Sequence, residues 1–454
     1  MEKHEMLPTE ENLIETLYKD TINRNKDIVY FYNILQAQEF ASAMAIDGRW
    51  GSGKTFFVRQ TKMVINALNP SSVMDEEKRA KVTARLSFPN NGQDRDNCSI
   101  AVYYDAWEND NDTEPILSLI YEITKQLCVD FSLSDKSIVK IAGAIVEAIS
   151  GHNINGIKDA LSSDDPFTKF KEQKDIEAKI KDFLTGLLAE RGNRLVIFVD
   201  ELDRCKPTFT VHLLEQIKHY IFDDRITFVF SVNLEQLQHT IKHYYGTNFD
   251  SCRYLDRFFD LRITMPPADM DKFYTQIGLE SRYYVDIITK RIIKMFNFEL
   301  REITRFYSQV KAAVYEPTHD SGKYDFSFSD GKGRQIIMIY IVPLLIGLKI
   351  ADISKYDDFI NGKNSDPLKK LFDTDNQNRV LENMLNHDES FEQEDGKKLV
   401  TQEEVIIRFY EAIFVTQYTG GRYYTNLGQY EFSKESKSFA LNTSNMMSNF
   451  AVLS

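Results

Sequence analysis

Eight consecutive residues, Gly48-Arg49-Trp50-Gly51-Ser52-Gly53-Lys54-Thr55, fit the spacing G-x-x-x-x-G-K-[ST] in full. Each fixed type has a task beside a polyphosphate. Gly51 and Gly53 let the backbone turn through positive φ and aim its N–H groups at a β-phosphate. A helix that starts here presents its N-terminus, whose partial positive charge favours an anion. Lys54 reaches the β- and γ-phosphates, and Thr55 offers a hydroxyl to Mg2+. The expected binding stretch is therefore Gly48 to Thr55 with Phe56 behind it, and the expected ligands are ATP and Mg2+. Asn25-Lys26-Asp27 lacks the spacing of a guanine-reading motif and precedes the loop, which favours ATP over GTP.

A second group of residues carries negative charge. The apolar run at 195–199 (LVIFV) ends in Asp200-Glu201-Leu202-Asp203. At the carboxyl tip of a buried strand, Asp200 would hold Mg2+, directly or through water. Glu201 is placed to orient or deprotonate an attacking water, and Asp203 competes for that role. The next apolar run, 226–230, leads into Ser231-Val232-Asn233. Asn233 could polarise the water or touch the γ-phosphate, with Ser231 as the alternative. An asparagine at a strand end also serves as a plain helix cap.

These residues need a frame. Apolar strand-like runs at 42–46, 99–104, 195–199, 226–230 and 259–264 alternate with helical patterns at 55–68, 116–127, 209–220 and 234–244. Continuous apolar runs suit strands buried on both faces. The alternation predicts an α/β fold, the doubly wound parallel sheet of a P-loop NTPase, followed by a helical domain. In such sheets ligands sit at the carboxyl ends of the strands, so both motifs point to one crevice. The expected core is 1–267, with a helical insertion at about 130–190, and Pro266-Pro267 closes it. A helical domain over 268–430 would use helices at 284–296, 300–314, 336–350 and 405–418. Residues 431–454, rich in Ser and Asn, read as a flexible tail.

A chain of 454 residues suits two or three domains, and 43% hydrophobic content allows a large core. A net charge of −13 disfavours binding of nucleic acid by the surface as a whole. Lys290, Arg291, Lys294, Arg301, Arg305 and Lys311 form a locally basic stretch that could touch nucleic acid, but a solvated helix face or arginines reaching ATP is the favoured reading. The four cysteines are scattered without a CxxC pair and the eight histidines lack ligand spacing, so zinc is not expected. Free thiols and an acidic, polar N-terminal segment point to the cytoplasm. The longest apolar run, 336–348, is shorter than the roughly 20 residues of a spanning helix and contains Pro343. It reads as a buried core helix, with no membrane span.

The loop GRWGSGKT, the segment Tyr104-Asp105-Ala106-Trp107-Glu108-Asn109 and the strand end Asp200-Glu201-Leu202-Asp203-Arg204-Cys205 together resemble the KAP family of P-loop NTPases, within the class that holds AAA+ and STAND ATPases. The resemblance covers about residues 30–310. Trp50 matches a tryptophan common in that family's loop. The segment 297–306 resembles the family's LR-x-I-x-R helix, with Arg301 and Arg305 at its arginine positions, which makes Arg301 an implied nucleotide contact. There are two departures. Many relatives insert transmembrane helices between the two motifs, whereas 130–190 is too polar to span. The last strand is often preceded by L-[ED]-K, whereas Leu255-Asp256-Arg257 has arginine. AAA+ relatives place a trans-acting arginine near this point, so Arg257 is a catalytic candidate, with a helix-end arginine capping carbonyls as the alternative. The resemblance implies ATP hydrolysis that drives conformational change or assembly of a homo-oligomer, in bacterial defence against phage. The alternative is a nucleotide-gated scaffold with slow turnover that recruits effector proteins.

Overall fold

Val, Ile and Phe crowd the stretches that become strands, and their β-branched and aromatic side chains fit a pleated, buried surface. The computed structural model describes residues 7–72, 74–88, 98–130, 178, 180–186, 188, 192–220, 223–317, 324–325, 331–373, 378–394, 396–419 and 423–445. The chain divides after Phe273 into two units.

The first unit is built on five strands: β1 (Ser42–Asp47), β2 (Ser99–Asp105), β3 (Arg194–Asp200), β4 (Ile226–Val232) and β5 (Leu261–Thr264). They pair in the order β2-β3-β4-β1-β5, all parallel. Alternate side chains go to opposite faces. Met44, Ile46, Tyr103, Val196, Phe198 and Val229 pack under α1 (Glu10–Lys19), α2 (Asn25–Gln36) and α3 (Lys54–Leu68). Ile100, Val102, Ile197, Val199, Phe228 and Phe230 pack under α4 (Pro115–Asp130), α5 (Pro207–Tyr220) and α6 (Leu234–Tyr245). Full burial of one such side chain stabilises by about 1.5–3 kcal/mol. The expected insertion at about 130–190 lies mostly outside the described residues. Within it, Ile180, Phe183, Leu184 and Leu188 join the core of the second face.

One row of the sheet sets up the chemistry. Ile46 pairs with Ser231, Ser231 with Asp200, and Asp200 with Asp105. The carboxyl ends of β1 to β4 thus lie level, and β4 separates the acidic strand from the strand that feeds the glycine-rich loop.

In the second unit, helices Tyr284–Phe296 and Leu300–Val314 have the bounds that their periodicity predicts. The helix expected at 336–350 is present and longer than its apolar run. A helix extends over Lys332–Ala351, 20 residues, long and apolar enough to cross a membrane. Pro343 is accommodated because the turn before it, Ile337–Ile341, widens to a π-helix, which relieves the clash of the ring with the preceding carbonyls. Two-thirds of its most apolar window is buried inside the protein (67%). Of the tail expected at 431–454, the described residues run to 445. Tyr430–Ser433 pairs antiparallel with Tyr424–Leu427, and Lys434–Ser444 is a helix. The serines that suggested disorder instead cap this helix: Ser433 Oγ accepts from the Glu435 N–H (3.3 Å), and Ser436 Oγ accepts from the Ser433 N–H (2.9 Å). Phe432 and Ala440 are fully buried.

Candidate nucleotide-binding site

The loop after β1 has the backbone that its glycines predict. Gly51 has φ 85° and Gly53 φ 91°, and Gly53 is the N-cap of α3. Trp50 and Arg49 are exposed, Ser52 is buried, and Thr55 and Phe56 are half-buried in the first turn of α3. Lys54 curls over the loop and donates to Gly48 O (2.6 Å) and Arg49 O (3.2 Å). Burial pulls its pKa down, while the charges of Asp203, Asp200 and Glu201 push it back up. The lysine of the loop and the acidic end of β3 therefore share one electrostatic environment.

Two residues hold the loop from outside it. The buried Arg24, just before α2, donates through Nη1 to Ser52 O (2.9 Å) and through Nη2 to Pro266 O (2.7 Å). It ties the loop to the chain leaving β5. Asp47 Oδ1 accepts from the Leu234 N–H (2.9 Å), which fixes the end of β1 to the start of α6.

At the end of β3, Asp200 is 1% exposed. Tyr103 OH donates to its Oδ2 (3.0 Å) and the Glu201 N–H to its Oδ1 (3.0 Å). The Arg59 guanidinium lies 4.2 Å from the centroid of the Tyr103 ring. Glu201 sits at φ 61°, a left-handed conformation uncommon for a residue with a Cβ and typical of functional turns. Its Oε2 is 2.7 Å from Arg204 Nε. Burial, and then the charge of Asp200, push its carboxyl up to about 7. Asp203 is buried, its Oδ2 accepts from Trp50 Nε1 (2.6 Å), and burial pushes its pKa up against the hydrogen bonds from Trp50 and from the backbone of Asn233.

The remaining sequence candidates fall in different places. Asn233 is the N-cap of α6, its Oδ1 accepting from the Gln236 N–H (3.3 Å), so its side chain does the work of a cap beside the acidic turn. Ser231 Oγ is buried, with no hydrogen-bond partner among the described residues. Arg257 is the exposed C-cap of a short helix, α7 (Ser251–Asp256). Arg301 and Arg305 occupy exposed positions of helix Leu300–Val314 in the second unit. Arg24, Tyr103 and Arg204 have places in the site that the motif reading did not assign. Arg204 was within reach, since it belongs to the acidic segment, whereas Arg24 meets its partners only through the fold.

The donor set fits a nucleoside triphosphate with Mg2+. Two positive-φ glycines, a helix N-terminus and a lysine surround one loop, and a buried carboxylate stands two strands away. Among the described residues no group of three or more His, Cys, Asp or Glu would hold a metal unaided. Mg2+ keeps waters and substrate phosphates in its shell and takes few protein ligands. Thr55 and Asp200 are the residues that would hold it.

A glycine-rich loop after β1, an acidic end on β3 and one strand between them define a P-loop NTPase. A model of the KAP family P-loop domain matches residues 24–313, well over half of the chain, and the protein belongs to that family. Membership implies nucleotide binding and hydrolysis. No curated protein sequence matches the chain. Among solved structures it is similar to C. elegans PCH-2, at 10% identity over 89% of this chain and 69% of that one, with a TM-score of 0.20, too distant to carry an argument.

Proposed function

We propose that the protein binds ATP with Mg2+ at the loop Gly48–Thr55 and hydrolyses it, with Glu201 as the base. The observation that carries this reading is the meeting of the phosphate loop with the acidic turn at the carboxyl end of the sheet, where Trp50 Nε1 donates to Asp203 Oδ2 (2.6 Å) and Lys54 feels the charges of Asp203, Asp200 and Glu201. Lys54 would exchange its bonds to Gly48 O and Arg49 O for phosphate oxygens. Mg2+, held by Thr55 and Asp200, would neutralise charge on the transferring phosphoryl group. Glu201 would take a proton from the attacking water, and its raised pKa suits a base working near neutral pH. Asp203, committed to Trp50, is the weaker candidate.

Hydrolysis would drive conformational change between the two units or assembly of a homo-oligomer in the cytoplasm. The place of this activity in antiphage defence is supported by the family resemblance alone. Phosphate release should be measured from ATP and from GTP, with Mg2+ and with chelator. Release from ATP that stops on chelation is expected. Equal release from GTP would remove the preference for ATP. Tight ATP binding with no release at all would leave a nucleotide-gated scaffold that recruits an effector protein.

A further inference from the structure

The chain has two tryptophans, and both stand against one arginine. The guanidinium carbon of Arg204 lies 5.5 Å from the centroid of Trp50 and 5.9 Å from that of Trp107. Its Nε is 2.7 Å from Glu201 Oε2. The partners come from three separate loops: Trp50 from the phosphate loop, Trp107 from the turn after β2, and Arg204 from the turn after β3. Both indoles remain largely exposed, 44% and 56%, so neither is a core residue. Trp50 carries a second bond, to Asp203, on the same turn as Arg204.

A guanidinium suits this place. Its flat faces can lie on aromatic rings while its N–H edge donates to a carboxylate. An ammonium group has neither the flat face nor the fixed fork of donors, so between two rings it would hold the carboxylate less firmly. Glu201 has a flexible side chain on a strained backbone, and without a partner its carboxylate would sample several rotamers. Fixing one oxygen on Arg204 leaves the other available to a water.

We infer that Arg204, gripped by Trp50 and Trp107, is a positioning residue that holds the Glu201 carboxylate for catalysis and couples its orientation to the phosphate loop. The inference rests on the reading of Glu201 as the base. Partners that orient metal ligands are worth on the order of 10–100-fold in affinity or activity, and a partner that orients a catalytic carboxylate should act on the same scale.

The test compares Arg204→Ala, Arg204→Lys, Trp107→Ala and Trp107→Phe in the full chain, with kcat and ATP affinity measured separately. Both Arg204 variants should lose about 10–100-fold in kcat with ATP affinity within about twofold. Trp107→Ala should lose part of that activity, and Trp107→Phe, which keeps an aromatic face, should recover it. In a Glu201→Gln background, Arg204→Ala should cost nothing further, because the two residues act as one unit. In Trp107→Phe, Trp50 is the sole tryptophan, and its emission should change when ATP–Mg2+ is added. If Arg204→Lys and Trp107→Ala keep the parental kcat while Glu201→Gln is inactive, the inference fails alone. If Glu201→Gln itself keeps the parental kcat, the reading of the base fails beneath it. Loss of ATP affinity and of thermal stability with kcat unchanged would make Arg204 a structural residue only, and would also overturn the inference.

Discussion

Trp50 Nε1 donates to Asp203 Oδ2 across 2.6 Å, joining the phosphate loop to the acidic turn over 153 residues of sequence. The bond supports the proposal of Glu201 over Asp203 as the base, two carboxylates that composition cannot separate. Asp203 is buried and already accepts from an indole and from the Asn233 backbone. Glu201 keeps one carboxylate oxygen outside its ion pair with Arg204.

Glu201→Gln should therefore bind ATP and lose hydrolysis by roughly 10²–10⁴-fold, the usual range for a general base. Asp203→Asn keeps an acceptor for the Trp50 N–H and should be the milder change. Single-turnover hydrolysis with both variants compares them directly. A severe Asp203→Asn beside a mild Glu201→Gln would move the base to Asp203.

Lys54→Ala should abolish ATP–Mg2+ binding rather than slow turnover. The lysine is buried among loop carbonyls and three acidic groups, and its removal leaves that negative charge facing the phosphates. Calorimetric titration reads this, and parental affinity in the variant would sink the phosphate-loop assignment.

The pH dependence follows from Glu201, whose carboxyl is pushed up to about 7, first by burial and then by Asp200. A base works deprotonated, so kcat/KM should fall by about tenfold per pH unit below 7 and level off above it. The limb should vanish in Glu201→Gln. The same shift works against folding as the pH rises. The protonated carboxyl favours the folded state fully below the ordinary glutamate value of 4.5, and that contribution is lost as the pH passes 7. A kcat/KM flat from pH 5 to 8 would count against Glu201 as the base.

Arg24→Met should destabilise the sheet unit by about 2–4 kcal/mol, because two inward carbonyls, Ser52 O and Pro266 O, lose their donor. Both tryptophans lie in this unit, so urea unfolding followed by their fluorescence reports on it. An unchanged midpoint would show that water replaces the guanidinium without cost.

The same arginine shows where reading the sequence stops. The strands, the glycine loop and the acidic strand end are local signals: a continuous apolar run such as 195–199, a fixed spacing, a carboxylate at a strand tip. Helix Leu300–Val314 was equally legible from its apolar periodicity, and in the fold Glu299 and Glu302 close its start as a capping box. Arg24 is bonded across 28 and 242 residues, and no local pattern encodes that. The helix through Pro343 was legible as a buried core helix, though not its start at Lys332, and the capped helix after Tyr430 was missed, because composition records residue types and not their partners. The serines after Tyr430 suggest disorder by their type and serve as caps in the fold.

Arg257 should act across a subunit boundary. It closes the short helix α7 before β5, its backbone N–H bonded to Tyr254 O (3.2 Å) and its side chain exposed. The ion pair at this corner belongs to its neighbours Arg262 and Asp256, 2.6 Å apart. β5 is the edge strand next to β1, so Arg257 lies at the rim of the sheet unit, where a second copy could meet it. An arginine supplied in trans stabilises charge on the transferring phosphoryl group and is worth roughly 10³–10⁵-fold in rate. Hydrolysis per subunit should then rise with protein concentration. Arg257→Ala should bind ATP normally and lose hydrolysis. Mixing it with Glu201→Gln should restore activity, because one interface can then combine an intact Arg257 with an intact Glu201. A parental rate independent of concentration, together with no rescue on mixing, would leave Arg257 as a helix-end residue.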